Sequence, residues 1–189
     1  MPPKPDQVVQ MLKSKLPRAL QPPLERTPEL DGHHVRSRTQ TIAAPPTKVF
    51  AVLVDPRRQV ELDVTGTVTG IAEPVPTRLG RGVQFSLLVR RLGPPRAHFT
   101  VVEFEEGRRI AWAPATGQRW RFELAAGAEE ETVVTATFDW STAASPGMVE
   151  RLGEPDRYEA ALSGALRRLQ ALATGHELAS TEGESAATP

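Results

Sequence analysis

Two side chains in this sequence could exchange a proton or donate a hydrogen bond where a ligand would meet them. His98 lies in the alternating run RAHFTVVEFEEG, and Tyr158 lies on the apolar stripe of a helical run near the C-terminus. An imidazole titrates near neutrality and serves as general acid or base. A phenol on a helix can donate a hydrogen bond to a ligand carbonyl. The direction of His98 has two readings. It shares strand parity with Thr100, Val102 and Phe104, which turns it inward; with Phe99 and Val101 inside instead, it is a surface histidine. Around these two stands an apolar set. Phe85, Trp112, Trp120, Phe122, Phe138 and Trp140 fall on the apolar parity of their runs, with Leu87 beside Phe85, opposite Tyr158 and Leu162. Rigid aromatics supply contact area to an apolar ligand at small entropic cost. The same residues also suit a filled core.

Other chemistries find no support. His33 and His34 are neighbours on a strand reading and so point to opposite faces. The chain has four histidines, no cysteine and no His-Glu-x-x-His, so no metal is expected. Gly80-Arg81-Gly82 is not followed by the Lys-Ser/Thr of a phosphate loop, and no Gly-x-Ser-x-Gly elbow occurs. No cofactor is expected. Arg90, Arg91, Arg96, Arg108 and Arg109 read as a solvated rim balanced by Glu103, Glu105 and Glu106.

The elements that position these residues follow from hydrophobic period. HVRSRTQTI alternates as a half-buried strand. Pro45-Pro46 then opens a helix whose apolar face is Val49, Phe50, Val52 and Leu53. Asp55-Pro56 stops it, because the residue before proline is pushed out of the α region, and Asp55 can cap a second short helix. About six strands follow at period two: VTGTVTGIAEP, GVQFSLLVRRL, RAHFTVVEFEEG, RRIAWAP, RWRFEL and ETVVTATFDW, joined by short turns as an antiparallel meander. From about Pro146 the period is helical. Met148, Leu152, Tyr158, Leu162, Leu166, Leu169 and Ala173 form one stripe, with Gly153-Glu154-Pro155 as an early break and Gly175 as the stop. A one-sided sheet and a one-striped helix bury each other most simply face to face, with the short helical pair closing one end of the curved sheet. The fold class expected is therefore α+β.

Taken together, APPTKVFAVLVDPRRQVELD, VVEFEEGRRIAW, GQRWRFEL, TVVTATFDWS and the long helix resemble the START-like (SRPBCC) superfamily with its helix-grip fold. Within it they resemble the polyketide cyclase/dehydrase and lipid transport branch. The resemblance covers about residues 33–173. It implies a curved antiparallel sheet of about seven strands around the C-terminal helix, and a cavity between them. Such proteins bind hydrophobic small molecules, some close polyketide rings, and others serve as co-chaperone-type interaction modules. Leu62 departs from the aromatic that relatives often carry there, which implies a differently shaped cavity end. The N-terminal segment has no counterpart in the pattern.

Composition bounds the rest. Equal numbers of basic and acidic side chains, 23 each, argue against a dedicated nucleic-acid partner. No apolar run reaches the roughly 20 residues of a membrane span, and MPPKPDQVVQMLKSKLPRAL lacks the apolar stretch of a signal peptide. With no cysteine, a cytoplasmic location is expected. The proline-rich residues 1–30 read as an N-terminal arm, residues 31–175 as the domain and residues 176–189 as a disordered tail. In the arm, Asp6 could cap a short helix through Leu16 with Val8, Leu12 and Leu16 on one face. That helix is either a contact for a membrane or protein partner or an arm docked on its own domain.

Overall fold

Alternation in the first strand sets the geometry that the rest of the chain completes. In the computed structural model, which describes residues 32–90 and 95–175, Val35–Ile42 form β1. His33 and His34 precede it in a 3-10 turn, Gly32–His34, rather than on the strand as expected. Helix α1, Pro46–Val54, starts with proline in its first turn and buries Val49, Phe50, Val52, Leu53 and Val54. Asp55 ends α1 in an extended conformation, and its carboxylate accepts a hydrogen bond from the Arg57 backbone N–H at 2.9 Å. A 3-10 turn, Pro56–Arg58, leads into α2, Gln59–Leu62. Buried Gln59 donates from Nε2 to the Leu53 carbonyl at 3.0 Å, satisfying an orphan acceptor at the end of α1.

The strands β2 (Val68–Ala72), β3 (Gln84–Val89), β4 (Arg96–Glu105), β5 (Arg109–Ala113), β6 (Arg119–Ala126) and β7 (Thr132–Asp139) then run as a meander. The sheet order is β1-β7-β6-β5-β4-β3-β2, with every neighbour antiparallel. β1 and β2 therefore occupy opposite edges. The helical pair between them carries the chain across the sheet, which is why a brief interruption follows the first strand. Ala143 Cα and the Thr142 carbonyl press so closely on Gly117 (φ +95°) that a Cβ there would sit 2.2 Å from the Thr142 oxygen. Only glycine fits this turn between β5 and β6.

After β7 come α3, Pro146–Arg151, and α4, Glu154–Thr174. Left-handed glycines bracket α4: Gly153 before it and Gly175 after it, the latter the expected stop. The buried stripe of α4 includes Leu162, Leu166, Leu169 and Ala173, as expected. Met148 and Leu152 do not join it; they are 47% and 67% exposed. They belong to α3 and its end, and the left-handed turn at Gly153 resets the helical phase between the two. Helix α4 packs on β1, β7, α1 and α2. The arm and tail read from the sequence lie outside the described residues, as does Arg91.

Strand β4 carries the largest departure. Its register against β5 shifts between Val101 and Glu103, a bulge that leaves Val102 exposed. Before the bulge the inner parity is Ala97, Phe99 and Val101; after it, Phe104 pairs with Ile110 on the same face. Glu103 consequently turns to the outer face. There it joins a buried ionic cluster, accepting from Arg119 Nη1 at 3.1 Å and Arg121 Nη2 at 2.6 Å, while Arg119 also donates to Asp139 at 2.6 Å. Glu103 is thus no part of a solvated rim. Of the other rim residues, Arg108 and Arg109 pair with Glu105, and Glu106 pairs with Arg78. The Arg109 guanidinium beside Glu105 holds that carboxyl below its ordinary range.

Candidate functional site

The inner face of the sheet is a continuous aromatic surface. Phe85 stacks on Phe99 (ring centroids 5.5 Å apart) and meets Trp112 edge-on at 6.2 Å. Trp112 stacks on Phe122 at 5.6 Å. Phe99 meets Trp120 at 5.9 Å, and Trp120 meets Phe138 at 5.1 Å. Phe138 stacks on Trp140 at 5.6 Å, and the Trp140 indole N–H donates to Glu150 at 3.2 Å. Period two over β3, β5, β6 and β7 produces this surface directly, since each strand offers its aromatics on one parity. Offset and edge-on pairs of this kind each add about 0.5–1.5 kcal/mol beyond their burial.

Tyr158 closes the surface from the helix side. Its ring lies 4.6 Å from Phe138 and 5.3 Å from Trp120. Leu162, one turn later, is buried on the same side of α4. The Tyr158 hydroxyl lies 3.4 Å from Arg157 Nη2. Burial pushes the phenol above its ordinary range, and the Arg157 charge opposes that in part. Tyr158 is the one tyrosine of the chain, so its titration can be read without assignment. The phenolate absorbance band is expected to rise at higher pH than that of an ordinary tyrosine, and an ordinary tyrosine curve would contradict the burial. The sign follows from linkage. The folded state holds this proton more tightly than the unfolded state, so its contribution to stability is complete below about pH 10 and disappears as pH rises through the folded value.

Where α4 covers the sheet, over β1 and β7, the inner surface is sealed; Val134, Ala136, Phe138 and Trp140 are buried there. Elsewhere the cover is uneven: Phe85, Leu87 and Val89 on β3 and Val101 on β4 are buried. Val68, Ile71, Val83, Ala97, Phe99 and Trp120 are only partly buried although they pack on the core.

All nine apolar positions read from the sequence stand on this inner side: Phe85, Leu87, Trp112, Trp120, Phe122, Phe138 and Trp140 from the sheet, Tyr158 and Leu162 from the helix. His98 does not join them. It is exposed on the outer face, paired across the strands with Ser86, whose Oγ lies 2.8 Å from His98 Nδ1. The cause is the bulge at Val102, which breaks the shared parity of His98 with Phe104. Phe99 takes the inner position; the alternation Phe99–Val101, read without the residues beyond, is the signal that identifies it. Among the described residues no group of three or more His, Cys, Asp or Glu is placed to hold a metal ion. No helix among them is long and apolar enough to cross a membrane.

Comparison with known proteins agrees with this geometry. Residues 33–174 match the family described as polyketide cyclase / dehydrase and lipid transport. The uncharacterized protein Rv0088 of Mycobacterium tuberculosis is 38% identical over 108 residues, covering 57% of this chain and 48% of that protein. The chain thus spans about half the length of the curated relatives it matches. Among solved structures, protein NE0264 of Nitrosomonas europaea superposes with a TM-score of 0.60 at 16% identity, covering 77% of this chain and 97% of that one. A truncated norcoclaurine synthase of Thalictrum flavum superposes at 0.55 with 12% identity, covering 76% and 94%. At these identities the structural likeness concerns the helix-grip fold.

Proposed function

The chain belongs to the polyketide cyclase / dehydrase and lipid transport family, and from that premise we propose that it binds a hydrophobic small molecule, lipid-like or polyketide-like, between sheet and helix. The observation that carries this reading is the aromatic surface from Phe85 to Phe138, left partly uncovered at Phe99 and Trp120 and ending at the Tyr158 hydroxyl. Burial supplies the affinity. An apolar ligand gains about 25 cal/mol for each Å² withdrawn from water, against the cost of fixing it in place. The Tyr158 hydroxyl, protonated at neutral pH, serves as a donor that orients a carbonyl or hydroxyl of the ligand.

Carriage is favoured over ring closure. A cyclase needs an acid and a base on the substrate's side, and His98, the other candidate, stands on the outer face. A cytoplasmic site of action accompanies this reading, supported by the absence of cysteine from the sequence.

Native mass spectrometry of the protein purified from its own host tests the proposal. The expected result is a discrete additional mass that disappears on denaturation and is retained by His98→Ala. A clean unliganded mass, with no thermal shift across a panel of lipids and polyketides, would overturn it.

A further inference from the structure

Eight arginines of the described residues form ion pairs with carboxylates across the fold. Arg36, Arg38, Arg58, Arg78, Arg108, Arg109, Arg119 and Arg121 each reach an Asp or Glu. Three that do not, Arg157, Arg167 and Arg168, gather around one groove of about 520 Å³ on the flank of α4 away from its buried stripe. Among the described residues none of the three meets a carboxylate. Arg168 donates instead to the Glu61 carbonyl at 2.9 Å, and Arg157 lies over the Tyr158 ring at 5.1 Å. The residues lining the groove include no acidic side chain.

The floor between these cations is apolar and shallow. Val64 from the α2–β2 connection meets α4 at Gly164, where a Cβ would stand 2.8 Å from both Val64 methyl carbons. Glycine there lets the connection close on the helix. The small side chain of Ala161 extends the floor toward Arg157. The connection is itself held: Asp63 accepts from the Thr65 N–H at 3.1 Å, the Thr65 hydroxyl at 2.7 Å and the Val68 N–H at 2.9 Å. The carboxylate of Asp63, next in the chain to Val64, is thus committed to its own loop. A volume of this order lies within the range of small-molecule sites, roughly 300–1,000 Å³.

We propose that this groove is a second binding site, adjoining the concave aromatic surface at Arg157 but with its own floor, for a small amphipathic acid: its chain lies on Val64, Ala161 and Gly164, and its carboxylate is held by the arginines at the rim. The fork of a guanidinium matches a carboxylate with two parallel hydrogen bonds, and charge complementarity fixes which end of the ligand lies where. The site takes a free acid and discriminates against the matching alcohol.

Decanoate and decanol are the probes, and backbone amide shifts in the NMR spectrum of the full chain are the readout. Decanoate is expected to shift Val64, Thr65, Ala161 and Gly164 in a saturable way. Decanol should leave these amides unmoved. Arg167→Glu, at an exposed position with no ion-pair partner among the described residues, should weaken decanoate binding by about tenfold or more, while Arg167→Lys retains most of it. Decanoate shifts confined to the concave residues would overturn the proposal and leave the reading of the concave site standing. So would equal shifts with decanol, or unchanged affinity in a folded Arg167→Glu protein. Groove shifts with no response at Phe99 or Trp120 to any apolar probe would support the groove and count against the concave site.

Discussion

Replacing Phe138 with alanine is expected to destabilise the protein by about 3–5 kcal/mol, the range for removing a buried aromatic from a core that cannot collapse around the gap. Phe138 is fully buried and is the ring on which the inner surface converges. It touches Trp120, Trp140 and Tyr158, with centroids 5.1, 5.6 and 4.6 Å away. Its loss removes sheet-to-helix packing as well as contacts within the sheet. Urea denaturation gives the magnitude, and tryptophan emission gives the location, since Trp120 and Trp140 would both shift to the red. Phe138→Leu, which restores part of the volume but none of the ring contacts, should fall between the parent and the alanine variant. A loss below about 1 kcal/mol in the alanine variant would mean that the helix does not rest on this ring.

Glu103→Ala is expected to be as costly for a different reason. Arg121 is only 2% exposed, and the carboxylate it reaches is Glu103. Arg119 still has Asp139, but Arg121 is left as a buried charge without a counterion, which costs about 3–5 kcal/mol. The Nε atoms of both arginines already lack partners, so no spare acceptor stands nearby to compensate. The double variant Glu103→Ala/Arg121→Met removes both charges and should recover more than half of the loss, because a buried pair replaced by apolar groups is close to neutral. An alanine variant within about 1 kcal/mol of the parent would show that the cluster is wetted in solution.

Both predictions rest on which face each strand presents, and the sequence is uneven as a guide to that. In RWRFEL the alternation is strict and in TVVTATFD only Val133 breaks it, so Trp120, Phe122 and Phe138 could be placed from parity alone. Asp55-Pro56 and Gly175 carry their stop signals in their own backbone chemistry, and the helical pair and the end of α4 stand where expected. VVEFEE is different. Nothing in it distinguishes a bulge from a regular strand, because the extra residue is specified by pairing with β5 and not by a glycine or proline. One extra residue makes parity counted back from Phe104 and parity counted on from Phe99 disagree, which is why the direction of His98 has two readings and why the structure bears out the one with Phe99 and Val101 inside. Met148 and Leu152 failed for a related reason: their spacing fits the α4 stripe, but Gly153 turns left-handed and starts a new helix. Period alone leaves the inner face of the sheet undecided between a lined cavity and a filled core, and only the resemblance to a helix-grip family implies the cavity. The arginine groove was illegible because Val64 and Gly164 are a hundred residues apart in the chain and only the folded connection brings them together.

The claim on which the functional reading depends is that the concave aromatic surface accepts an apolar guest. Energy transfer from tryptophan to the neutral fluorophore N-phenyl-1-naphthylamine tests it most directly, because Trp112 and Trp120 stand on that surface. Saturable transfer at one probe per chain is expected, competed by an apolar ligand and much reduced in Trp120→Phe. Transfer that rises without saturation, or saturates equally well in the Trp120→Phe protein, would contradict it.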